Sequence, residues 1–357
     1  MTSLAAPPAQ TSTSTEPTVP QQGAALLSQA AGYVGYRTIA IGLRAGLIAA
    51  MAEAPDGLTP GELATETGVD PFYAAVWCRA AFGAGACERT GTGLTDASYR
   101  LAPHVATLLL DTTSPAYAGG VFATLEQREV FDRFEETLAA GTRMWWDDTR
   151  PEWIAAVAGT GLPFYTRLVP GGLAQVPGLV ERLTSGARIL DTACGAGVGL
   201  VRLAEHYPAC AVVGADGDAH SIDRAAERLD SAGLRDRVEL VVSPLEELSI
   251  EGSFALVTNN ISMHECRDAD QVTQRVRALL EPGGWFVISD FPFPADDAGL
   301  RSVPGRVMSG IQFFEAQIDD QLLPRVAYDD LLARHGFTDL GWLQLTPMHA
   351  VTYGRVP

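Results

Sequence analysis

Three groups of residues in this sequence could do chemistry. The first is Asp191-Thr192-Ala193-Cys194-Gly195-Ala196-Gly197-Val198-Gly199, a glycine-rich run between a short apolar segment and a helical pattern. Glycines there let the backbone approach a ligand closely. Asp216 stands 19 residues after Gly197, where a carboxylate can accept hydrogen bonds from both hydroxyls of a ribose. Gly217 and Asn259, each at the end of an apolar run, fall beside the same expected crevice. The second group is Met263-His264-Glu265-Cys266. An imidazole with an ordinary pKa of about 6.5 can take a proton from a hydroxyl at neutral pH. A carboxylate on its other ring nitrogen would orient it, and Asp290, closing the next apolar run, is placed to do so. The third group is apolar and mostly aromatic: Trp145, Trp146, Phe164, Phe291, Met308 and Phe313. They could wall a pocket for a flat acceptor, and each could equally be ordinary core.

The elements that must hold these residues can be read from periodicity. From Arg188 onward, short apolar runs alternate with helical patterns. Strands are expected at Arg188 to Ala193, Ala211 to Asp216, Val238 to Val242, Phe254 to Asn259 and Trp285 to Asp290. Helices are expected at Val198 to His206, Ala219 to Ala232 and Asp268 to Leu280. Such alternation implies a mainly parallel sheet covered on both faces. Phe337 to Val356 reads as two strands with no helix between them, so the last strand should be antiparallel. Nearer the N-terminus, Tyr36 to Ala54 has helical spacing. Thr59-Pro60-Gly61-Glu62 opens a further helix that Gly68 ends, and Asp70-Pro71 opens another. Two short strands around Gly91-Thr92-Gly93 complete a helix-turn-helix with a wing.

Taken together, residues 188–290 resemble the class I S-adenosylmethionine-dependent methyltransferase domain. Three features carry the likeness: Asp191 four residues before Gly195, the run Val213-Gly214-Ala215-Asp216, and Leu279-Leu280-Glu281-Pro282-Gly283-Gly284 leading into the fifth strand. With the winged helix in front, the chain from about residue 25 resembles the small-molecule O-methyltransferases of plants and bacteria. The resemblance implies an α/β fold: a Rossmann-like seven-stranded methyltransferase sheet behind an N-terminal α-helical winged-helix domain. It divides the chain into a disordered tail (1–22), a winged-helix dimerisation domain (23–112), a helical connector that caps the pocket (113–185) and the cofactor domain (186–357).

The same resemblance implies S-adenosylmethionine as cofactor, held by Asp191, Gly195, Gly197, Asp216, Gly217 and Asn259. It makes His264 the base that takes the acceptor's proton, with Asp290 and Glu265 beside it. It also implies a homodimer built through the N-terminal domain and a small-molecule acceptor, methylated on a hydroxyl or an enol carbon. The family has Gly where Ala193 stands, often Asp where Pro244 stands, and Trp where Cys266 stands. These departures keep open an enzyme that binds S-adenosylmethionine without transferring its methyl group.

Composition excludes other classes. The net charge of −18, with 43 acidic and 25 basic residues, repels polyanions. The second helix of the turn motif offers only Arg79 to a base or phosphate, so a nucleic-acid regulator is disfavoured. No apolar run is long enough to span a membrane. Five cysteines without a CxxC pair point to reduced thiols in the cytoplasm. No repeated His spacing suggests a metal, and none is expected, although His264, Glu265 and Asp290, with Glu315 or His349, are the residues that could ligate one.

Overall fold

The computed structural model describes residues 16–357, in two compact units that meet in sequence at Ala102 and Pro103. Most of the expected tail lies outside the described residues. Its last residues are helical, because Thr18 N–H bonds the Gln21 side chain at 2.8 Å and Pro20 suits a first turn.

In the first unit α1 (Val19–Arg44) and α2 (Leu47–Ala52) replace the single helix expected over Tyr36 to Ala54. The break is Gly46, whose φ of 73° no α-helix accommodates. Helix α3 (Pro60–Thr67) starts as expected: Thr59 Oγ1 accepts from Glu62 N, and Thr59 N donates to the Glu62 carboxylate at 2.8 Å. Asp70 then caps α4 (Pro71–Gly83), accepting from Phe72 N and Tyr73 N at 2.9 and 3.0 Å. Strands β1 (Cys87–Thr90) and β2 (Ser98–Leu101) form a two-stranded antiparallel sheet where the wing is expected, and Leu58 bridges to Tyr99.

In the second unit α5 (Gly119–Thr124) packs on α6 (Pro151–Arg167). A seven-stranded sheet follows, built from β3 (Arg188–Thr192), β4 (Ala211–Asp216), β5 (Val238–Val242), β6 (Phe254–Asn260), β7 (Leu280–Asp290), β8 (Thr338–Thr346) and β9 (His349–Arg355). Its order is β5-β4-β3-β6-β7-β9-β8, and β9 runs antiparallel to both neighbours. Alternate residues face opposite sides. Ile189, Val212 and Leu256 meet α7 (Val198–His206) and α8 (Ala219–Ser231). Leu190, Val213 and Val257 meet α9 (Ala269–Leu279) and, further on, α11 (Arg325–Arg334). Helix α10 (Val303–Glu315) lies between β7 and α11 in sequence.

One expected boundary moves. β7 begins at Leu280 rather than Trp285, because Leu280 pairs with Phe254 before a register shift. Within the stretch 113–185, Leu168, Val169, Leu173, Val176, Leu179 and Leu183 join the core on one sheet face.

β3 and β6 are parallel neighbours, and the order in which strands are added to the sheet reverses between them; ligands of open α/β sheets bind beyond the carboxyl ends of the strands at such a point. Capping predicts a simple outcome in the first unit. Asp70→Ala should cost about 1 kcal/mol, read as a lower urea midpoint with an unchanged slope; an unchanged midpoint would show that the two cap bonds contribute nothing.

Candidate active site

The glycine-rich turn after β3 is shaped from both sides. Asp191 is wholly buried, and its carboxylate accepts from Thr258 Oγ1 at 2.8 Å and from Tyr165 Oη at 3.0 Å. Burial, against these two bonds, pushes its pKa up to about 7. Gly195 has a φ of 51°, and a Cβ built there would meet no atom, so the loop faces open space. Its N–H donates to Asp216 Oδ2 at 2.8 Å, and Asp218 N donates to Asp216 Oδ1 at 2.9 Å. Each carboxylate oxygen of Asp216 keeps a lone pair for a further donor. Gly199 serves a different need: a Cβ there would lie 2.1 Å from the Tyr165 ring. The third glycine therefore admits Tyr165, which no motif in the sequence announces.

The remaining expected cofactor residues divide. Gly217 abuts Pro244, 3.5 Å from a would-be Cβ, beside the main-chain bond from Ser243 N to Asp216 O. Asn259 is wholly buried and engaged at both ends, donating to Thr192 Oγ1 at 3.2 Å and accepting from Ser262 Oγ at 3.0 Å. It ties β3 to the loop after β6. Ala193 has a φ of 53°, a conformation that glycine adopts without the Cβ penalty.

The second constellation assembles as the sequence suggests. His264 is 5% exposed, and its Nδ1 lies 2.8 Å from Asp290 Oδ2. Asp290 is itself fixed, accepting from Tyr328 Oη at 2.6 Å and from Phe291 N at 2.7 Å. The other ring nitrogen, Nε2, lies 3.9 Å from Glu265 Oε1 and 3.9 Å from Glu315 Oε2. Burial presses the imidazole toward its neutral form. Attraction to Asp290, Glu315 and Glu265 outweighs it and holds the pKa at about 10. Burial raises both glutamates, Glu315 to about 7; the charge of Glu315 adds to the rise of Glu265, and those of Asp290 and Asp320 to the rise of Glu315. Glu315 and Tyr328 reach this site from α10 and α11, far along the chain, and only Glu315 was weighed from sequence.

Of the six expected pocket residues, the structure groups three. Phe164, Phe291 and Met308 join Leu322 in one cluster, with Ile261 and Phe293 against it. The Phe291 ring centroid lies 6.4 Å from that of His264. Trp146 packs elsewhere, on Trp153 and Phe314. Trp145 is 40% exposed under the Arg267 guanidinium, and Phe313 is 37% exposed against Phe131 and Phe134. Neither joins the pocket cluster, because each finds a closer partner at the surface. His349 is structural: its Nδ1 accepts from Arg167 Nε at 2.9 Å, so Nε2–H donates to Ser289 Oγ, 2.8 Å away.

Comparison with known proteins bears on the fold and the family. Residues 189–284 match the family model described as a methyltransferase domain. An uncharacterized methyltransferase of Synechocystis is 30% identical over 159 residues, covering 44% of this chain and 69% of the relative. The 27-O-demethylrifamycin SV methyltransferase of Amycolatopsis mediterranei is 31% identical over 35% of this chain and 46% of its own length. The chain spans about half the length, or less, of the first curated relatives it matches. Human N-acetylserotonin methyltransferase, solved with S-adenosylmethionine, shares the fold at a TM-score of 0.68 and 15% identity, covering 96% of this chain and 99% of that one. The chain belongs to the class I S-adenosylmethionine-dependent methyltransferases.

The buried acid under the glycine loop carries a pH signature. A carboxylate whose folded pKa is raised stabilises the fold fully below its unfolded pKa, and loses that contribution as pH rises through the folded value. For Asp191 the window runs from the ordinary 3.8 to about 7. Asp191→Asn should therefore flatten the fall in thermal midpoint of the ligand-free protein across that window; a slope equal to that of the wild type would discount Asp191 as its source.

Proposed function

We propose that the protein transfers the methyl group of S-adenosylmethionine to a hydroxyl of a small, flat, largely apolar metabolite. The observation that carries this reading is the placement of His264, paired with Asp290, at the end of β6 beside the cluster of Phe164, Phe291 and Met308. The loop fits the cofactor: open space over Gly195, and a half-buried Asp216 with lone pairs to spare, suit a ribose and a methionine portion. Gly195, Gly197 and Asp216 would hold it, on a loop that the buried Asp191 shapes from below. When bound, S-adenosylmethionine supplies a methyl group on a sulfonium centre, which leaves as a neutral thioether.

The chain's own residues prepare the acceptor. Asp290 orients the imidazole through Nδ1, so Nε2 is the atom that takes the acceptor's proton. Aromatic walls exclude water and align the acceptor for in-line displacement. The five cysteines are free, which suits a reducing cytoplasm. Among the described residues no helix is long and apolar enough to cross a membrane.

The first unit points to a second copy of the chain as its partner. Leu27, Val34 and Ile41 recur every seven residues on α1 and are 72%, 58% and 41% exposed. Phe72, Tyr73 and Val76 on α4 are exposed as well. A continuous apolar stripe of this kind is costly to leave in water. Homodimerisation through this unit would cover it.

Replacing His264 by Ala should lower kcat by about 10²-fold or more, while S-adenosylhomocysteine still binds in a calorimetric titration; undiminished turnover would remove His264 as the base. Because the imidazole is held at about 10, kcat/KM should climb with pH toward that value, and H264A should lose this alkaline limb. The double change Leu27→Asp with Val34→Asp should give a monomer in sedimentation velocity, where a wild type already monomeric would rule out the stripe as a dimer interface.

A further inference from the structure

The geometry points to a divalent-cation site made by His264 Nε2, Glu265 and Glu315, next to the cofactor crevice. One donor atom from each residue lies within 4.8 Å of the other two. Glu315 is 2% exposed, and its Oε2 has no hydrogen-bond partner. A buried carboxylate oxygen without a donor costs several kcal/mol unless a positive charge faces it. His264 Nε2 lies 3.9 Å from a carboxylate oxygen of each glutamate. That separation is too long for a hydrogen bond. Bonds of about 2.1 Å put neighbouring ligands of one ion roughly 3 to 4 Å apart, so small side-chain movements would close this set around a cation.

The surroundings support the assignment. Asp290 holds Nδ1, as a carboxylate commonly does for a metal-binding histidine, and leaves Nε2 facing the two glutamates. Tyr328 and Phe291 N fix Asp290 in turn. A cavity of about 420 Å³ opens beside the cluster, lined by His264, Met263, Cys266, Asp320 and Arg143 among others. It gives the ion an entry path and leaves coordination positions for water or an acceptor oxygen. One imidazole with two carboxylates suits a first-row divalent ion such as Mn²⁺, Fe²⁺ or Zn²⁺ rather than a soft thiolate metal. The site stands on this geometry alone and goes beyond the methyl-transfer reading. A cation there would occupy His264 Nε2, so the proton-accepting role proposed above would belong to the metal-free protein, and the cation would instead activate an acceptor hydroxyl by coordination.

The test uses the full-length chain, stripped with a chelator and dialysed. Mn²⁺ is titrated by electron paramagnetic resonance and Zn²⁺ by competition with a chromophoric chelator, with S-adenosylhomocysteine calorimetry as a separate arm. One equivalent per chain at micromolar Kd is expected, weakened at least 10-fold in Glu315→Gln and in Glu265→Gln. Should E315Q fail to fold, E265Q decides, since that side chain is partly exposed. Absence of stoichiometric binding of both ions by the wild type, or equal binding by E265Q, overturns the site. Cation binding with no S-adenosylhomocysteine binding supports the site and sinks the methyl-transfer reading instead.

Discussion

Burying carboxylates at the carboxyl edge of a parallel sheet is the constraint on which this molecule turns. Asp191, Asp290 and Glu315 are all buried there, where an isolated charge is costly. Each must be met by donors or by opposite charge, and the fold is arranged to bring them. Thr258 and Tyr165 meet Asp191; His264, Tyr328 and a main-chain N–H meet Asp290. Glu315 is the member left with an unmatched oxygen. The sheet delivers the acids, and helices from either end of the unit deliver the partners.

The cofactor loop depends on the same logic. Its backbone bends through positive φ at Ala193, Gly195 and Gly197, then enters α7 beneath the Tyr165 ring. Tyr165 is thus both a packing element against Gly199 and the donor that steadies Asp191. Asp216 closes the loop from the neighbouring strand by accepting Gly195 N–H. Side chains from α6, β3 and β4 therefore set one loop shape together, and the segment just after α6, from Leu168 to Leu183, packs into the sheet's core.

Much of the fold was legible because it rests on local rules. The caps at Thr59 and Asp70, the strand and helix alternation after Arg188 and the antiparallel final strand follow from periodicity and from residues with narrow roles. Gly46 was missed because a single positive φ breaks a helix without disturbing its apolar spacing. At the site, His264 and Asp290 were readable because the ends of adjacent parallel strands must lie side by side. The same rule puts Asn259 near the crevice, but strand-end position does not say which way a side chain points, and the amide bonds Thr192 and Ser262.

The sequence by itself determined the order of elements, the glycine turn with its acid, and the imidazole with an orienting carboxylate, since each is encoded within a few residues of one strand end. Only the tertiary structure decided which distant side chains close on those ends. Tyr165, Glu315 and Tyr328 lie on three different helices; Glu315 is weighed from sequence only as a possible metal ligand, and no local pattern marks Tyr165 or Tyr328 as a partner of the buried acids. Packing of α6, α10 and α11 against the sheet brings them there, and that depends on long-range burial rather than on spacing along the chain. For the same reason Trp145 and Phe313 could be recognised as aromatic from sequence, but their choice of surface partners over the pocket could not.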